Sequence, residues 1–191
     1  MKQRIESIVE QLKNRSPLPA LTPKSVWDAK LDEEIAALDT SALGGSKAAI
    51  ALKAALHLWN DSLDVSHSYA QQIEVDPTGG YWHGLMHRME RDYGNGNYWF
   101  MRAGNHPVKA LVQQAAADYL TGIVGLDALP ANKVTKELIR FRDESGWTSE
   151  AFTDIVKLQE SGGGLPETRE MLEQLQHLEL KTLFRHTYAM C

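Results

Sequence analysis

Apolar residues recur along almost the whole chain at intervals of three and four, and no stretch of β-branched or aromatic residues alternates with a convincing period of two. The pattern predicts an all-α protein of about seven or eight helices. Ile5, Ile8, Val9 and Leu12 mark an amphipathic helix within Met1 to Arg15, ended by Ser16-Pro17 and Pro19. Thr22-Pro23 offers a cap and a first-turn proline for a second helix, running to about Leu38. After Gly44-Gly45-Ser46 the seam Leu52, Leu56, Trp59, Leu63, Ser66, Ala70 and Ile73 predicts one long central helix over 46–73.

The composition of Asp76-Pro77-Thr78-Gly79-Gly80 is that of a turn, followed by a helix over 81–93. The connection is short, so the helices over 46–73 and 81–93 are expected side by side and antiparallel. Gly94-Asn95-Gly96-Asn97 reads as a helix breaker, Tyr98 to Ala103 as a short aromatic segment, and Gly104 to Pro107 as the start of a helix to about Leu120. Three further helices are expected, from Val134 to Glu144, from Ser149 to Glu160, and from Pro166 nearly to the end. No internal repeat is evident.

With 191 residues, 43% hydrophobic and 24% charged, residues 1–191 fit a single helical domain with a full core. A formal charge of -5 disfavours nucleic acid as a partner. No segment reaches the roughly 20 apolar residues of a membrane span, and no secretion signal is visible, so a cytoplasmic location is expected. The one cysteine, Cys191, excludes an internal disulfide or a cysteine-rich metal cluster.

The chemistry concentrates between Asn60 and Pro107. His83, His87 and Glu90 project from one edge of the helix over 81–93, within about 60° of one another at about 100° per residue. Asn60, Asp64 and His67 lie along one edge of the preceding helix. If the two edges meet, His67, His83, His87 and Asp64 form a candidate set for a divalent transition metal, the donor mixture that suits zinc, iron, manganese or nickel. His83, His87 and Glu90 equally suit acid-base catalysis without a metal, because a carboxylate holds an imidazole in one tautomer. His-Gly-Leu-Met-His lacks the adjacent glutamate of a zinc peptidase, which leaves that reaction unsupported.

Trp82, Tyr98, Arg102 and His106 complete the candidate ligand-binding set: aromatic walls, an arginine able to grip a carboxylate or phosphate, and a histidine at a helix start. His57, Asp61, Arg88 and Arg91 turn away from these stripes and read as solvent-facing. The string from Tyr81 to Tyr93, followed by Asn97-Tyr98-Trp99-Phe100-Met101-Arg102 and His106-Pro107, resembles the signature of a family of helical proteins from bacteria and fungi. That family has no assigned activity. The resemblance implies a shared site around His67, His83, His87, Glu90, Arg102 and His106 without implying a reaction. The expectation is therefore a His/carboxylate-lined internal pocket for a small molecule, with a metal-dependent enzyme as one outcome. The alternative is a non-catalytic structural or interaction protein whose histidines form a buried hydrogen-bond network. Haem, for which His and Met among aromatics are the only hint, ranks third.

Overall fold

Where each helix begins is decided mainly by side chains that satisfy its first free N–H groups. In a computed structural model, which describes residues 2–43, 47–144 and 146–191, ten α-helices are present among the described residues and no strand. They are α1 (Lys2–Lys13), α2 (Ala29–Ala36), α3 (Lys47–Trp59), α4 (Leu63–Ala70), α5 (Pro77–Met89), α6 (Tyr93–Ala103), α7 (Val108–Thr121), α8 (Lys133–Asp143), α9 (Ser149–Leu158) and α10 (Pro166–Ala189). One continuous apolar core runs from Ile5 on α1 to Phe184 on α10. Among the described residues no helix is long and apolar enough to cross a membrane.

The all-helical architecture and the placement of α1 and α7 to α10 follow the periodicity; four boundaries do not. Thr22-Pro23 does not start the second helix. Asp28 does, accepting a hydrogen bond from the Leu31 N–H at 2.9 Å. The long helix over 46–73 is two helices, α3 and α4, separated by Asn60-Asp61-Ser62, with Asp61 at φ 60; Gly44-Gly45-Ser46, the expected separator, lies outside the described residues. Asp76 is a cap rather than part of a turn: its carboxylate accepts from the Thr78 and Gly79 N–H groups, and Pro77 occupies the first turn of α5. Gly94 to Asn97 do not interrupt the chain either. The break falls earlier, at Glu90-Arg91-Asp92, with Arg91 at φ 75, and Asp92 caps α6 by accepting from the Asn95 N–H.

These two breaks are the same structure twice. Ser62 donates from its N–H to the His57 carbonyl at 2.9 Å, and thirty residues on Asp92 donates to the His87 carbonyl at 2.9 Å. Asp61 to Leu58 and Arg91 to Arg88 repeat likewise, at 3.0 and 3.2 Å. The chain thus contains two consecutive helix-break-helix units, α3–α4 and α5–α6, a repeat that its side chains barely register. Within each unit a small residue lets the second helix fold onto the first. Ser66 donates to the Ala54 carbonyl at 2.9 Å in the first unit. In the second, Gly96 sits against Gly84, and a Cβ on Gly84 would fall 2.8 Å from the Phe100 ring.

Every residue of α5 from Thr78 to Met89 is buried, which makes α5 the central helix instead of a helix over 46–73. Arg88, expected at the surface, is wholly enclosed and ion-paired to the equally enclosed Glu179 of α10. Glu179 also accepts from Tyr81 Oη at 2.7 Å, Ser149 Oγ at 2.8 Å and Trp147 Nε1 at 3.2 Å. Arg88 Nε donates to Gln176 Oε1 at 3.0 Å, and its guanidinium lies 4.7 Å from the Phe152 ring centre. Burying two charges is tolerable only when both are paired and hydrogen-bonded.

Two outcomes test this packing. Glu179→Leu should lower unfolding free energy by about 3–5 kcal/mol, because it leaves the Arg88 charge buried alone. Gly84→Ala should cost about 1–3 kcal/mol through overpacking. Urea denaturation followed by far-UV circular dichroism measures both.

Candidate metal centre

Three imidazoles meet where α4 crosses α5. His83 and His87 stand one turn apart on α5, their rings stacked with centroids 4.6 Å apart. His67 on α4 closes the group, with ring centroids 4.8 Å from His83 and 5.0 Å from His87. One nitrogen from each of the three falls within 4.8 Å of the others. Two imidazole nitrogens on one tetrahedral ion, at about 2.0–2.1 Å from it, stand about 3.4 Å apart. Rotations of the rings of the order of an ångström at their tips would complete the set.

The environment differs from ring to ring. His67 is half-buried, whereas His83 and His87 are only 2% and 4% exposed. His87 Nδ1 is hydrogen-bonded to Glu90, which stands at the end of α5. With Nδ1 as the donor to that carboxylate, Nε2 carries the lone pair, and the Asn95 amide of α6 donates to it at 3.0 Å. His83 has no such support: neither of its ring nitrogens has a hydrogen-bond partner. The Trp99 ring lies flat against it at 4.3 Å. Burial, followed by the neighbouring His87 and His67, pushes the His83 imidazole down to about 3, so it is neutral and its lone pair is free at neutral pH. His67 is lowered as well, first by burial and then by His87.

Of the residues anticipated from the sequence, His67, His83, His87 and Glu90 come together. Asp64 does not: it is exposed at the start of α4, beside a separate cavity lined by Lys24, Asp32 and Ser62. Asp64 stands three residues, nearly one turn, before His67, and the two diverge by about 60° around α4, with Asp64 on the solvent side. Trp82 is a core residue whose Nε1 donates to Thr187 Oγ1 at 2.9 Å. His106 is buried elsewhere, bonded to Thr78 Oγ1 at 3.1 Å and packed edge-on against His186. Tyr98 and Arg102 are exposed on α6, the guanidinium 5.7 Å from the Trp99 ring centre. They flank the ring that covers His83.

Asn95 and Trp99 were not singled out for the site. They sit one turn apart on α6, so the stripe becomes visible only once Gly94 to Asn97 are recognised as helical. His57 also departs from expectation. It is fully buried, with Nδ1 2.8 Å from Asp32 Oδ1, and Asp61 is buried in an ion pair with Arg15 at 2.7 Å. His57 and His87 occupy equivalent positions in the two helix-break-helix units, each with Nδ1 on a carboxylate.

The chain matches no known protein family, no characterised protein and no solved structure, so the site's own geometry carries its functional reading.

The pH dependence follows from His83. An exposed imidazole titrates at about 6.5, and His83 in the fold at about 3. Between these values the unfolded chain binds more protons, so stability falls as pH drops from about 6.5 toward 3 and is unaffected by this group above that window. His106 and His177, each pushed down to about 4 chiefly by burial, add to the same loss. In chelator-containing buffer, His83→Gln should therefore lose less stability than the parent between pH 7 and pH 4, measured as the shift in urea midpoint.

Proposed function

We propose that the chain is a metal-dependent, small-molecule-binding protein with a mononuclear divalent centre on His67, His83 and His87, and that it acts as an enzyme. The observation that supports this reading is His83. A buried imidazole with two unpartnered nitrogens is expensive to keep, and it faces two further imidazoles, one nitrogen of each within 4.8 Å of the others. A structural hydrogen-bond network, the rival reading, accounts for Glu179 and for Nε and Nη2 of Arg88 but leaves both ring nitrogens of His83 unexplained.

Three neutral nitrogen ligands with a further position open are the donor set of catalytic rather than structural zinc sites, and an ion held there supplies Lewis-acid activation of water or of a carbonyl oxygen. Glu90 fixes the His87 tautomer through Nδ1, the role carboxylates commonly play behind metal-binding histidines. Asn95 holds the His87 lone pair in the meantime and remains within reach to orient a bound molecule. Trp99 excludes water from one face of His83. Arg102, exposed beside Trp99, is suited to anchoring an anionic group on the substrate.

Metal-stripped protein titrated with Co2+ should take up a single ion per chain, with visible d–d absorption and quenching of tryptophan fluorescence that Trp99→Phe reduces. His83→Ala, His87→Ala or His67→Ala should each weaken binding by more than about 100-fold, and Glu90→Gln by about 10–100-fold. Elemental analysis showing no uptake of Co2+, Zn2+, Mn2+ or Ni2+, with His83→Ala only destabilising the fold, would return the site to the structural reading.

A further inference from the structure

A cavity of about 410 Å3 lies between α1 and α10, away from the three histidines, and nothing in the metal-centre reading uses it. Its size falls within the usual range for small-molecule sites, about 300–1,000 Å3. Ile5, Val9, Trp59 and Phe184 give it apolar walls, and Trp59 and Phe184 meet edge-on with ring centres 5.4 Å apart. Lys13, Lys181 and Arg185 also line it, as do Glu6 and Glu10 on the α1 side.

The charges that line this cavity call for a ligand. Lys181 is pushed below the ordinary lysine range first by burial and then by Arg185 and Lys13, so three cations of the lining act on one another. Glu6 and Glu10 on α1 are exposed, and Glu10 is already bonded to the Asn14 amide at 2.8 Å.

We infer that this cavity is a second binding site, for a small amphipathic acid whose apolar body lies against Trp59 and Phe184 and whose carboxylate meets Lys13, Lys181 and Arg185. An anion there relieves the mutual repulsion of the cations, and an apolar body covers walls that otherwise face water. Neutral molecules of the same shape gain only the second term. The site is independent of the metal centre.

Calorimetric titration of the whole chain with sodium octanoate and with 1-octanol tests the assignment. Octanoate should bind saturably and at least about tenfold more tightly than octanol. Lys181→Glu combined with Arg185→Glu should weaken octanoate by at least about tenfold while leaving octanol within about twofold. Lys13→Glu, at an exposed position on α1, should weaken octanoate by about threefold and serves if the α10 variant fails to fold. His83→Ala should leave octanoate binding unchanged, which separates this site from the metal centre. Absence of saturable octanoate binding, equal affinity for octanoate and octanol, or charge variants that bind octanoate like the parent would overturn the assignment.

Discussion

A guanidinium and a carboxylate shut away from water together form the constraint around which this fold is organised. Arg88 and Glu179 are both fully enclosed, and the groups that satisfy them come from three parts of the chain: Tyr81 on α5, Trp147 and Ser149 at and just before the start of α9, and Gln176 on α10. On α5, Tyr81 and Arg88 lie within about 20° of each other around the helix axis, and His83 and His87 lie on the far side, at least about 100° away. Fixing one face therefore aims the other. With Glu179 holding α5 in rotation, the imidazoles have no alternative but to face α4 and α6, where His67, Asn95 and Trp99 wait.

The second determinant is the pair of helix breaks. Asp61 and Arg91 adopt left-handed backbone, which non-glycine residues reach at a cost of about 1–2 kcal/mol. At Asp61 the cost is offset by a tertiary partner, since Arg15 reaches both the Asp61 carboxylate and the Trp59 carbonyl at 2.7 and 2.8 Å. Each break returns a short helix against the one before it, and the two units so formed lie in succession. His67 belongs to the first and His83 and His87 to the second.

Much of this was legible in the chain. The helical class, the outlines of α1 and α7 to α10, and the His83–His87 stripe follow from spacing, because imidazoles at i and i+4 share a helix edge wherever that edge points; the approach of His67 rests in addition on the short connection between its helix and α5. The failures have a common origin in contacts distant along the sequence. A charged residue such as Arg88 reads as exposed until its partner 91 positions later is known. His57 reads as solvated until Asp32, 25 positions earlier, is seen to hold it. Asn60-Asp61-Ser62 carries no glycine or proline to announce a break, whereas Gly94 to Asn97 carry the usual breaker composition for another reason: Gly96 must let the α6 backbone approach Gly84. Asn95 and Trp99 share a helix face only because Gly94 to Asn97 are helical, and the edge that Asp64 shares with His67 is split between partner and solvent.

The division of the three imidazoles between two successive folding units has a thermodynamic meaning. A peptide containing only the α5 sequence could present two donors, as any i, i+4 pair does, but the third arrives solely through tertiary assembly. Any ion that prefers the complete triad to the pair must, by mass action, pull the α3–α4 unit onto the α5–α6 unit. Under the proposed reading, filling the centre and docking the two halves would be linked equilibria, each favouring the other.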